Sequence, residues 1–390
     1  MDIDQESLRK GFERFIQAAK GIPDQVPISA QMPEHVHWLC GLNTQDFYTQ
    51  PVPFVKAMVA VHQYYQLDVV YLFYDIYNVE AEALGQPILY RPHSMPDLDH
   101  RRPLIKEKGD RDKLVLPIPT KSGRMPFVVE ICRLFTDYTG LPALTGICAP
   151  FSLAVGIRGY AAWVRDLRKD TQFAHDLLRL LTEEVLIPWA KGLKVACEGK
   201  LILFAADAWA SPPNIDMSIQ EEFVVPYSNR LYEASGVAPL GQWGHSFMPD
   251  PEKFMESQLA MGMPGIIALD PDTERLGPER FKEFALKKDV PLTLGFSSQL
   301  LRDGPQEKII ERVRHYLTIG APGGKLLFFL NYVPADTPPA HIQTVVNTVR
   351  QLGQYTGEGL EVGIGQPWVP FPDYLRNIGI NDQSYFYRRD

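Results

Sequence analysis

The chain has 390 residues, 45% of them hydrophobic and 22% charged, which is enough apolar material for a large core and leaves no biased tract to keep it disordered. A formal charge of -8 and a pI near 5.7 exclude the basic stripe that nucleic acid requires. No apolar run reaches the roughly 18 residues of a membrane span and no apolar leader precedes the first helix, so a cytoplasmic protein without a membrane segment is expected.

Residues 4 to 19 place Leu8, Phe12, Phe15 and Ile16 on one helical face. Eight short apolar runs follow, each ending in polar residues and a helix-period segment: 26–31, 69–75, 143–151, 201–208, 238–245, 265–270, 291–298 and 325–332. The last four begin 27, 26 and 34 residues apart, about one βα unit each, and unbroken apolar runs suit strands covered on both faces. Eight such units predict a (β/α)8 TIM barrel over residues 1–355. A doubly wound sheet competes, but no GxGxxG follows the first run. The stretch after the second run, about 86–142, is too long for one helix and reads as an insertion with two short strands and a charged section at 100–113. Residues 356–390, aromatic and proline-rich, read as an extension that packs on the barrel or on a twin subunit, the latter giving a homodimer. Cys40, Cys132, Cys148 and Cys197 lack CxxC spacing and read as buried thiols.

In a barrel the reactive groups gather at the C-terminal strand ends. Here these read Gln31, Asp75, Asp207, His245, Asp270, Ser297 or Ser298, and Asn331. Asp270 is equally placed to cap the helix after it, and His35 and His37 suit a surface loop or helix start better than a metal site. His245, Asp75, Asp207 and Asn331 are the candidate catalytic residues. Tyr74, Tyr77, Phe151, Trp209, Trp243, Phe247 and Tyr332 are the aromatic candidates for holding a flat substrate.

The segments AAKGIPDQVP, DVVYLFYDIYNVEAEALG, APFSLAVGIRG, FAADAWASPPNIDMSIQEEFVVPYSNRLY, LGPERFKEF and PADTPPAHIQTVVNTVRQLG occur in an order that resembles the uroporphyrinogen decarboxylase superfamily, in particular its corrinoid-dependent methyltransferase branch. The resemblance covers about residues 5 to 355 and implies a (β/α)8 barrel, with Asp75 matching the family's catalytic-strand aspartate. The decarboxylases carry an arginine-rich N-terminal motif where this chain reads QMPEHVHWLCG. Methyltransferases of the branch hold zinc with His-x-Cys on the fifth strand and a Cys after the eighth; here those cysteine positions are Phe247 and Asn331. Loss of both thiolates argues against a coenzyme-thiol methylase and leaves a zinc on harder ligands, His245 and Asp270, as an open alternative. The resemblance further implies a separate corrinoid protein as partner, since the chain has no DxHxxG motif to bind the cofactor itself.

The expected reaction is O-demethylation of a methoxylated aromatic, with His245 and the nearby acids polarising the ether oxygen. The competing readings are another corrinoid-dependent methyl transfer, a porphyrinogen decarboxylase and a binding protein without catalysis.

Overall fold

The computed structural model describes residues 3–355 and 369–388; the expected extension at 356–368 lies outside them. The chain divides into two compact units, one made of 1–71, 137–141 and 265–390, the other of 72–136 and 142–264. Nine strands are present among the described residues: β1 Ile28–Ala30, β2 Ile88–Leu89, β3 Asp97–Leu98, β4 Ala143–Cys148, β5 Leu201–Ala206, β6 Ala238–Leu240, β7 Ile266–Leu269, β8 Leu292–Phe296 and β9 Leu326–Leu330.

The first unit holds a parallel sheet in the order β1-β9-β8-β7. Its strands are short and apolar because helices cover them, among them Gln5–Lys20, Pro278–Lys288 and Gln306–Gly320. Asp68 anchors the sheet edge: it accepts the Ile28 N–H at 2.7 Å and pairs with Arg14 and, at 3.0 Å, Arg350. Helix Pro51–Tyr64 is buried on nearly every side, as an all-round apolar sequence requires. The described part of the tail lies on this helix, with Phe371 and Tyr374 against Tyr64 and the Lys56 ammonium donating to the Arg388 carbonyl at 2.7 Å.

In the second unit β4, β5 and β6 form a parallel sheet, and β2 and β3 pair as an antiparallel hairpin within the stretch 86–142. Seven of the eight expected runs contain a parallel strand. The run 69–75 does not, because its backbone bonds are divided: Val69 bridges Ser29 in the first unit, while Leu72 N–H donates to the Leu144 carbonyl at 2.9 Å in the second. The charges at 100–113 are largely self-neutralised, Asp99 by Arg101 and Arg102, Asp110 by Lys113, and Arg111 by Asp112 and Asp176.

Candidate functional site

Strand register sets the level at which side chains leave each sheet. In the second unit Cys148 pairs with Ala206 and Ala206 with Leu240, so Ala149, Asp207 and Gly241 emerge side by side. The Ala149 and Asp207 N–H groups donate to the last carbonyls of the neighbouring strands, Ala206 and Leu240.

Asp207 Oδ1 accepts from the Ser152 backbone N–H at 2.9 Å and from its hydroxyl at 2.6 Å; Ser152 Oγ in turn accepts from Trp209 N–H at 3.1 Å. Oδ2 is buried with no partner. Burial pushes the Asp207 carboxyl up to about 7, against the two Ser152 bonds that favour its charge. Glu80, on the short helix Val79–Ala83, repeats the pattern. Its Oε1 accepts from Trp189 Nε1 at 3.0 Å and from Cys148 N–H at 3.1 Å, its Oε2 has no partner, and burial raises it to about 7. The Cys148 thiol is held protonated first by burial and then by the fields of both carboxyls, and burial likewise raises Tyr77, which lies close to Cys148 and Asp207.

Asp75 is differently employed. Arg124 clamps it bidentately, Nη1 to Oδ1 at 2.7 Å and Nη2 to Oδ2 at 2.5 Å, while Arg124 Nε binds Glu82 at 2.6 Å and Asn78 Nδ2 reaches Asp75 at 3.0 Å. Its oxygens are committed, which suits positioning better than proton transfer.

After β6 the backbone turns at Gly244, whose φ of +86° disfavours any other residue and whose missing side chain leaves room for the Pro212 carbonyl, 2.1 Å from where a Cβ would stand. That turn seats His245, fully buried at the start of a 3₁₀ turn, with its ring against Phe254. Gln258 Nε2 donates to the Gln242 carbonyl, so its Oε1 accepts from His245 Nε2 at 3.0 Å, which puts the hydrogen on Nε2.

In the first unit Ser297, Asn331 and Gln31 also leave aligned strand ends, and Asp270 leaves its strand one position earlier, opposite Phe296. Asp270 does not cap the helix after it. Its Oδ2 pairs with Arg312 at 3.1 Å and its Oδ1 accepts from the Tyr316 hydroxyl. Tyr332 donates to Glu34. His35 and His37, expected in a surface loop or at a helix start, lie in the short helix Pro33–Leu39 but are fully buried: His35 lies between the Ala335 carbonyl and the Tyr65 hydroxyl, at 3.0 and 2.7 Å, and burial lowers it to about 4.

In the second unit Asp207 stands at a strand end with Tyr77 close to it and the Trp209 N–H bonded to Ser152, Trp243 and His245 follow β6, and the Trp209 ring lies tilted by 31° against Tyr160 at 5.4 Å. Tyr74 and Phe151, expected to face a substrate ring, are core residues instead; Tyr74 donates to the Gly146 carbonyl and Phe151 packs on Trp163. Phe247 is half exposed. Sequence reasoning missed Arg124, Ser152 and Glu80 as parts of the site. Of these only Glu80 carried a signal, as the first acid after Asp75.

The donor set does not fit a zinc. Both Asp270 oxygens are bound to Arg312 and Tyr316, His245 Nε2 is bound to Gln258 Oε1, and among the described residues no group of three His, Cys, Asp or Glu side chains is arranged to hold a metal ion.

The uroporphyrinogen decarboxylase (URO-D) family model matches residues 10–352. A methylated-thiol–coenzyme M methyltransferase of Methanosarcina mazei is 35% identical over 163 residues, 40% of this chain and 41% of that protein, so the chain matches less than half of that relative's length. The solved structure of a methyltransferase from Methanosarcina mazei superposes with a TM-score of 0.72 at 20% identity, over 87% of this chain and 98% of that one. This likeness in fold agrees with the (β/α)8 class that the run count predicts. Matched along nearly its whole described length, the chain belongs to the uroporphyrinogen decarboxylase family.

Proposed function

We propose that the protein is a methyltransferase that takes the methyl group of a small methoxylated aromatic and passes it to the cob(I)amide of a separate corrinoid protein. The observation that carries this reading is Asp207, a buried carboxyl at a strand end with one oxygen fixed by Ser152, the other without a partner, and a proton affinity matched to neutral pH. In the transfer the C–O bond of the ether breaks as the methyl carbon bonds to cobalt. A phenolate leaves poorly, because its conjugate acid has a pKa of about 10. Protonated Asp207 donates its proton to that oxygen as the bond breaks and is reprotonated from solvent, which is general acid catalysis.

The surroundings support this role. Ser152 fixes the rotamer of Asp207, Tyr77 lies close to it, and Trp209 and Trp243, both partly exposed, follow the ends of β5 and β6. Asp75 acts through Arg124 as a support, and Gln258 fixes the orientation of the His245 ring. No thiolate pair is present at the position where the branch binds a thiol through zinc, which favours an oxygen leaving group.

A second reading keeps the methyl transfer and replaces the ether by a methylated thiol; the 35% identity with the Methanosarcina relative favours it. Purified protein, a reduced corrinoid carrier and either a guaiacol-type ether or dimethyl sulfide separate the two through the absorbance change of carrier methylation. The ether is expected to react, and Asp207→Asn to slow it by about 10²- to 10⁴-fold. Reaction with the sulfide alone selects the second reading, and no methylation from either donor overturns both.

A further inference from the structure

The four cysteines are all buried and free, yet they differ in surroundings. Cys40 has only burial acting on it, and Cys148 faces two carboxyls; both effects hold a thiol protonated and inert. Cys197 closes helix Ile187–Ala196 and has beside it the Cys132 thiol, which belongs to the middle of helix Met125–Thr139. Arg133 draws the two helices together, its Nε donating to the Ala196 carbonyl at 2.9 Å, and places a guanidinium near Cys197. The neighbouring Cys132 thiol and the Arg133 charge together lower Cys197 in spite of burial. Cys197 is 6% exposed at the edge of an exposed turn, residues 198–200, and Cys132 is 1% exposed.

We propose that Cys132 and Cys197 are a redox-responsive dithiol that a peroxide converts to a reversible disulfide. The Cys197 thiolate attacks one peroxide oxygen, breaking the O–O bond and giving a sulfenic acid and hydroxide. The Cys132 sulfur then attacks the oxidised Cys197 sulfur, the S–O bond breaks, and its oxygen leaves as water with the Cys132 proton. Two electrons pass from the thiols to the peroxide in all. The bond ties the helix that begins directly after Arg124 to the helix that carries Trp189, so the supports of both Asp75 and Glu80 are crosslinked.

The test treats the full chain with hydrogen peroxide, unfolds it in alkylating agent and maps its peptides. The expected result is a crosslinked Cys132–Cys197 peptide, a fall from four alkylated thiols to two with Cys40 and Cys148 retained, and full reversal by dithiothreitol. In untreated native protein Cys197 should alkylate at least about 10-fold faster than Cys40 or Cys148. Cys132→Ser should trap Cys197 as a sulfenic acid that dimedone labels, which the wild type escapes by closing the bond. Four surviving thiols, loss of thiols without this crosslink, or a disulfide that involves Cys40, Cys148 or a second chain each overturn the proposal. The wild-type readouts stand even if the variant fails to fold.

Discussion

Asp207 and Asp270 leave parallel strands at the same point, one residue past the end, and burial raises the proton affinity of both. Asp270, in the first unit, spends one oxygen on Arg312 and the other on Tyr316. Asp207, in the second, spends one on Ser152 and none on a cation. A carboxylate matched to a guanidinium stays charged and holds structure, whereas one offered only neutral donors in a dry site can keep its proton and give it away. The position in the fold is shared, so the partners decide the chemistry.

The largest effects expected from breaking this contrast concern the arginines. Arg124 and Asp75 are both nearly sealed from water, so Arg124→Ala leaves a buried unpaired charge and should cost about 3–5 kcal/mol of unfolding free energy. Arg312 is about one fifth exposed and water can replace part of its pairing, so Arg312→Ala should cost about 1–3 kcal/mol. Urea midpoints give both values, and equal costs would mean that the two pairs are equivalent supports.

The pH dependence of stability sharpens the contrast between units. Glu80 and Asp207 titrate near 7 when folded, above their unfolded values of 4.5 and 3.8, so the folded state binds more protons between those limits. Stability from these groups is complete at acid pH and is lost as pH rises toward about 7. His35 and His62 titrate near 4 when folded, below the unfolded 6.5, so their contribution is present above about 6.5 and is lost as pH falls toward about 4. Glu80→Gln and Asp207→Asn should therefore gain on wild type as pH rises from about 5 to about 8, and His62→Leu should gain as pH falls, each by up to a few kcal/mol. Urea midpoints across that range test this, and parallel pH curves for wild type and variants would refute the assigned titrations.

Unbroken apolar runs made most of the fold legible, because a strand covered on both faces leaves an unmistakable pattern. The run 69–75 looked the same, but a hydrogen-bond ladder divided between two neighbours is invisible to composition. Asp207 and His245 were legible as strand-end polar residues. Arg124 and Ser152 were not, since each matters through a partner far along the chain, 49 residues away for Arg124 and 55 for Ser152. The burial of His35 was hidden for the same reason, as its partner Ala335 lies 300 residues distant.

The smallest expected effect separates two uses of one aspartate. Asn43 caps helix Thr44–Thr49 in the first unit with a neutral side chain, its Oδ1 accepting from Gln45 N–H at 2.9 Å and from Asp46 N–H at 3.2 Å. Asp170 caps helix Thr171–Leu180 in the second unit through Oδ1, which accepts from Phe173 N–H at 3.1 Å, and also pairs with Lys108 through Oδ2. Because both charges of that pair are partly solvated, its contribution is small and falls with salt. The cap is worth about 1 kcal/mol in either helix and is insensitive to salt. Asp170→Asn keeps the acceptor and loses the charge, so its cost should shrink in high salt, while Asp170→Ala and Asn43→Ala should each keep a cost of about 1 kcal/mol there. If Asp170→Asn in high salt is as costly as Asp170→Ala, the carboxylate's charge at the helix N-terminus, rather than its oxygen as an acceptor, is what holds that helix.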